Sequence, residues 1–123
     1  MSNPVAPAGV DHVAINVPDV PGAVTFYTET MGLTQNGTRP DFGFAGAWLD
    51  TASGQQVHLI ELPAPPNVGQ HFALVYEDIE GIVAELRARG VEVTDPKPVG
   101  ETGRWQAFLT DPWGNGIELH QRP

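Results

Sequence analysis

Two stretches of this chain, each opening on a histidine, carry the same pattern, and that tandem copy limits the folds open to it. The segment His12-Val-Ala-Ile-Asn-Val-Pro-Asp19-Val-Pro-Gly22 aligns without a gap on His71-Phe-Ala-Leu-Val-Tyr-Glu-Asp78-Ile-Glu-Gly81. With the offset one residue longer, Phe44-Ala-Gly-Ala47-Trp48-Leu49-Asp50 lies on Arg104-Trp-Gln106-Ala107-Phe108-Leu109-Thr110, and Val57-His58-Leu59 lies on Ile117-Glu118-Leu119. A chain of 123 residues built this way holds two copies of one small unit. Each copy is marginal alone, so pairing of the two sheets, within a chain or between chains, is expected to leave helices outside and a curved inner face.

The periodicity names the elements. From Val10 to Val17, Val13, Ile15 and Val17 share one face while His12, Ala14 and Asn16 share the other, which is a strand with one packed side. Asp19 is placed to cap a helix that opens near Pro21 and ends at Gly32, with Val24, Tyr27 and Met31 towards the sheet. A short strand is expected around Leu33–Asn36, then strands at Phe44–Asp50 and Gln55–Leu62 joined through Ala52-Ser53-Gly54. The second copy repeats the order: a strand from His71 to Tyr76, a helix from Ile79 to Arg89 capped by Asp78, a short strand around Val91–Thr94, then Arg104–Thr110 and Ile117–Gln121. Asp111 to Gly116 reads as a turn. The class is therefore α+β, with modules over 10–62 and 70–121, a proline-rich joint at 63–69 and a loose tail at 1–9.

Fifteen acidic against six basic residues give a formal charge of −9, with no Lys/Arg cluster, which argues against a nucleic-acid partner. The absence of cysteine removes thiolate metal sites and cysteine nucleophiles. No apolar run approaches a membrane span, and the start lacks the pattern of a secretory signal, so a cytoplasmic location is the default expectation.

The repeat places His12, His58, His71 and Glu118 at paired positions, each opposite its strand's apolar neighbours and therefore pointing away from the helix-packing side. Singly, His12 reads as a hydrogen-bonded histidine at a strand start and Glu118 as a solvated strand residue. Together, three of the four histidines and a carboxylate aimed into one concavity are a donor set for a single divalent ion, since a shared cation would satisfy all four. Imidazole and carboxylate without thiolate leave Fe, Mn, Co, Ni and Zn open. His120 shares a face with Glu118 but lies near its strand end, and is not counted as a ligand.

Asp11-His12-Val-Ala, the run Phe26-Tyr27…Met31-Gly32-Leu33, His71-Phe-Ala-Leu and Asp111-Pro112-x-Gly114-Asn115-x-Ile117-Glu118-Leu119 together resemble the vicinal oxygen chelate superfamily of glyoxalase I, fosfomycin-resistance proteins, extradiol dioxygenases, methylmalonyl-CoA epimerase and bleomycin-resistance proteins. The resemblance covers Val10 to Gln121. It implies two βαβββ modules forming a curved open-barrel cleft, with His12 and His71 as first-strand ligands, Glu118 as last-strand carboxylate and His58 where several members carry Glu or Gln. It further implies a homodimer whose cleft is shared between chains, and a small-molecule substrate.

Around the ion, Phe44, Trp48, Arg104, Gln106 and Phe108 are the candidate substrate contacts, Trp48 and Phe108 being equally readable as core. The resulting expectation is a divalent-metal-dependent enzyme acting on a small oxygen-chelating substrate by lyase- or isomerase-type proton transfer, with Glu118 as the catalytic base. A ring-cleaving dioxygenase and a non-catalytic, antibiotic-sequestering protein are the alternatives.

Overall fold

The computed structural model describes residues 5–123 and divides into two compact units, Met1–Pro63 and Ala64–Pro123. Part of the expected tail over 1–9 lies outside the described residues; Val5 to Gly9 are exposed and form neither helix nor strand.

In the first unit, β1 (His12–Val17) leads through Asp19 into α1 (Val20–Thr25). The Asp19 carboxylate accepts the Gly22 N–H at 3.0 Å, and a Cβ on Gly22 would collide with that carboxylate. The repeated Asp-x-x-Gly is thus one device: the aspartate fills an orphan donor of the first turn, and the glycine leaves it room. The expected helix to Gly32 changes character midway, since Phe26–Thr30 is π-helical. Thr25 and Thr28 donate their hydroxyls to the carbonyls of Pro21 and Val24, competing with the helix's own bonds. Then β2 (Thr34–Asn36), β3 (Gly46–Asp50) and β4 (Gln56–Glu61) complete a sheet of order β1-β4-β3-β2, with β1 and β4 parallel. Val17, Ala23, Tyr27, Leu49, Val57 and Leu59 are its core.

The second unit repeats this order. Its strands are β5 (His71–Val75), β6 (Lys97–Pro98), β7 (Trp105–Thr110) and β8 (Gly116–Gln121), with α2 (Ile79–Ala88) after β5. The sheet order is β5-β8-β7-β6, and β5 runs parallel to β8. Asp78 accepts from Gly81 N–H at 3.0 Å, repeating the cap. The strand expected at Val91–Thr94 does not form; the edge strand is Lys97–Pro98. Val91 N–H is taken by Leu86 in the helix end, so that segment reaches β7 only from Thr94, and prolines at 96 and 98 keep the edge short. The turn between β7 and β8 closes on the buried Asp111 carboxylate, which accepts from the Trp113 and Asn115 N–H groups and the Asn115 side chain, each at 2.9 Å. Leu74, Val83, Leu86, Leu109, Ile117 and Leu119 are buried.

Tyr76, just after β5, is held by burial at a pKa of about 12, up from 10.0. The unfolded chain ionises this phenol first, so its contribution to stability is complete below pH 10 and is lost as pH rises towards 12. Denaturant unfolding should therefore show a fall on the order of 2 kcal/mol across that window, and Tyr76→Phe should remove most of the slope.

Candidate metal centre

Register places the candidate ligands. Ala14 lies opposite His58 in the β1–β4 pair, and Ala73 lies opposite Glu118 in the β5–β8 pair. His12 and His71 are each two residues before that alanine and so on the same face, where the small neighbour lets them lean across.

In the first unit, the His12 and His58 rings stack with centroids 3.9 Å apart and planes 14° from parallel. Trp48, cross-strand from His58, continues the ladder at 4.7 Å and 11°. Hydrogen bonds assign the tautomers. His12 Nδ1 donates to the Asp11 carboxylate at 2.8 Å, so Nε2 carries the lone pair. Asn36 and Gln56 both donate to the Asp50 carboxylate, which turns the Gln56 amide oxygen to accept from His58 Nε2 at 2.8 Å and leaves the lone pair on Nδ1. Burial, and then the neighbouring His12 and Arg39, lower the His58 pKa against an opposing pull from Asp11, which favours the neutral ring a metal needs.

In the second unit, His71 Nδ1 donates to the Gly69 carbonyl at 2.9 Å. Its Nε2 then presents a lone pair to Glu118 Oε1, 3.1 Å away. The other carboxylate oxygen, Oε2, accepts from His120 Nδ1 at 2.7 Å, and His120 Nε2 accepts from Arg104 at 3.0 Å. Two acceptors therefore face each other at Nε2 and Oε1, and only a cation between them, a proton or a metal ion, reconciles the pair. The spacing also suits neighbouring donors on one ion, which lie about 3 Å apart for bonds of about 2.1 Å. A ring nitrogen tied back to a backbone carbonyl or a carboxylate, as in His71 and His12, is the usual support of a metal-binding histidine.

The structure thus brings the predicted ligands together as two pairs, His12 with His58 and His71 with Glu118. Among the described residues, no single group of three or more His, Asp or Glu side chains is assembled for a metal. His12, His71 and Glu118 have the donor chemistry of ligands as they stand. His58 does not aim as His12 does: lone pairs lie in ring planes, and stacked rings cannot direct theirs to one point, so His58 would have to turn out of the ladder.

His120 adds a functional side chain that its place near a strand end obscures in the sequence. It is half-buried and holds Glu118 from behind; the signal was its place two residues on, on the same strand face. Arg104 is engaged with this histidine, and Gln106 is its cross-strand partner. Trp48 and Phe108 are half-buried on the histidine-bearing faces, opposite the buried Ala47, Leu49, Ala107 and Leu109. Phe108 meets the His71 ring edge-on at 5.5 Å. An open cavity of about 630 Å³ beside it is lined by His71, Phe108, Thr94, Thr110, Asn67 and Glu92 among others. Phe44 stands exposed in the loop before β3.

Residues 9–119 match the family model of the glyoxalase/bleomycin resistance protein/dioxygenase superfamily. The chain belongs to this superfamily. It is 32% identical over 122 residues to a lactoylglutathione lyase, GLX1, of Arabidopsis thaliana; the match takes 90% of this chain but only 43% of that relative's length. Among solved structures, a protein of the glyoxalase family from Bacillus anthracis superposes with a TM-score of 0.82 at 27% identity, each chain fully covered. TnmS3, an antibiotic binding protein from Streptomyces sp. CB03234, gives 0.81 at 28%, over 97% of this chain and 99% of that one.

The facing acceptors generate a prediction. Glu118→Gln would supply an amide N–H to His71 Nε2 and keep an oxygen for His120. In metal-free protein this variant should gain about 1 kcal/mol in urea unfolding. It should lose metal affinity at the same time, as read by calorimetry.

Proposed function

We propose that the chain is a divalent-metal-dependent enzyme of the lyase or isomerase type, acting on a small substrate with chelating oxygens. The observation that supports this reading is the close pair of His71 Nε2 and Glu118 Oε1, 3.1 Å apart and suited to share one cation, with His71 locked by Gly69 and Glu118 backed by His120. We assign the metal to His12, His71 and Glu118, with His58 as the fourth ligand once its ring has turned. Fe, Mn, Co, Ni and Zn all suit nitrogen and oxygen donors.

A bound divalent ion would polarise a substrate oxygen and acidify the neighbouring C–H. Glu118, once displaced from the ion, would take that proton: His120 Nδ1, itself backed by Arg104, holds Oε2, leaving Oε1 for transfer between adjacent substrate carbons. Phe108 and Trp48 would flank the substrate and exclude water, and Gln106 would hydrogen-bond it. The kinship with lactoylglutathione lyases supports this class of step. The first 63 residues carry a single cation for a substrate as acidic as glutathione, so a smaller partner is favoured. We further propose a homodimer, in which the metal-bearing faces of two chains complete each other.

The placement of His58 in the ring ladder favours a second reading. Without it the set is two histidines and one carboxylate, the ligand set of iron-dependent oxygenases. A third, sequestering role draws support from the similarity to an antibiotic binding protein.

Purified protein should carry about one divalent ion per chain by elemental analysis. His71→Ala should weaken that ion at least tenfold, by analogy with losses of about 10- to 100-fold for supporting groups alone. Its unfolding midpoint in EDTA should be unchanged. A variant that keeps its full metal content would show the site to be misplaced. Oxygen uptake with catechols, seen only after anaerobic Fe²⁺ loading, would select the dioxygenase. Sedimentation at micromolar concentration should report a dimer.

A further inference from the structure

The loop before β3 gathers aromatic surface that the metal centre does not use. Phe42 and Phe44 are 52% and 51% exposed, and their rings stack at 5.9 Å and 20°. Phe42 also lies 6.2 Å from Trp48, whose ring joins the histidine ladder. Rings of this size left half in water, side by side, mark a surface kept for a partner.

Arg39 stands over both rings, its guanidinium carbon 5.1 Å from one centroid and 5.2 Å from the other. Nη2 donates to the Phe44 carbonyl at 3.1 Å, which fixes the group in place. A Cβ on Gly46 would lie 2.7 Å from that nitrogen and collide with the Leu59 carbonyl oxygen, so the glycine at this position makes room for the arginine. Arg39 is the sole Lys or Arg of residues 1–63, against six Asp or Glu. Among the described residues none of these acids pairs with it. Asp41, two residues away, accepts instead from the Gly43 N–H at 2.8 Å. The one positive charge of an acidic unit is thus held over exposed rings with most of its donors unused.

We infer that Arg39, Phe42, Phe44 and Trp48 form a binding site for a planar, fused-ring aromatic ligand bearing an anionic oxygen. The rings lie against the phenylalanines and the carboxylate or phenolate lies on Arg39. The span of the cluster, with neighbours about 6 Å from Phe42 on two sides, exceeds one benzene ring and selects the fused system. A guanidinium both stacks and pairs with oxyanions, and successive aromatic contacts add affinity without needing hydrogen-bond readout. The inference deepens the reading of the histidine-bearing face as the ligand face, since Trp48 belongs to both.

The test uses 2-naphthoate, titrated into EDTA-treated protein and followed by calorimetry and two-dimensional NMR. Saturable binding below about 1 mM is expected, with shifts confined to the Phe42, Phe44, Trp48 and Arg39 signals. Cyclohexanecarboxylate and 2-naphthylmethylamine should each bind at least about tenfold more weakly. Phe42→Ala and Arg39→Gln should weaken 2-naphthoate by a similar factor with unchanged circular dichroism, and Arg39→Lys should recover part of the loss. Absent binding, equal binding of the non-aromatic acid, or insensitivity to both substitutions would overturn the site. So would sedimentation showing that these substitutions split a dimer, because the cluster would then be an interface between copies. No metal is present in the titration, so its failure leaves the metal proposal intact, and loss of metal in His71→Ala says nothing against this site.

Discussion

Parallel pairing of the first and last strand in each unit is the constraint on which the rest depends. It sets Ala14 against His58 and Ala73 against Glu118, and thereby decides that one face of each sheet is apolar under a helix and the other carries donors. A slip of one residue in either pair would send the donor into the helix-packing core and an apolar side chain out. The alternation of buried and half-buried residues along β3, β4 and β7 shows how firmly that choice is made. Alanine on the first strand matters too, since a large side chain there would block the diagonal approach of the histidine two residues earlier.

Equivalent positions have taken on different chemistry in the two units. In the second, the last-strand group is a carboxylate wedged between two histidines, with Arg104 behind, so the negative charge has donors on one side and a lone pair on the other. In the first, the same position is an imidazole sandwiched between two rings and tied through Gln56 to Asp50 and Asn36. One unit supplies charge and the other polarisable, neutral surface. The Asp-x-x-Gly caps, by contrast, are the same in both, because the geometry of a helix start does not vary with what the sheet binds.

Much of this was legible in the residues. Period-two alternation located β1, β3, β4, β5, β7 and β8 and the face of every candidate ligand, because burial of one side is a local property of each strand. Both helix starts followed from their capping aspartates, Asp19 and Asp78. What failed was set by longer-range or backbone effects. Val91–Thr94 has β-branched residues at the right place in the repeat, yet the helix end claims Val91 and two prolines shift the pairing downstream. The π-helical turn of Phe26–Thr30 leaves no mark in apolar spacing; the threonine hydroxyls that favour it become visible only with their acceptors. His120 looks peripheral near its strand end, whereas its role follows from what it meets, Glu118 on one side and Arg104 on the other. The stack of His12, His58 and Trp48 was equally hidden, since alternation gives a face but not a ring orientation.

That orientation links ligand count to the identity of the metal. Taking His58 out of the ladder breaks one hydrogen bond to Gln56, about 1 kcal/mol, and stacking worth about another 1 kcal/mol for the ring. Together this is on the order of a 30-fold penalty on a fourth bond, small beside the roughly 10 kcal/mol or more that strongly held zinc can release. Ions at the weak end of the divalent series, Mn²⁺ and Fe²⁺, gain least from one more imidazole, and Ni²⁺, Cu²⁺ and Zn²⁺ gain more. In the centre proposed above, His58 would therefore stay in its stack with iron or manganese, leaving two histidines and a carboxylate, and would join the ligands with nickel or zinc. A single side-chain rotation would then separate an oxygen-using site from a proton-transferring one on the same fold.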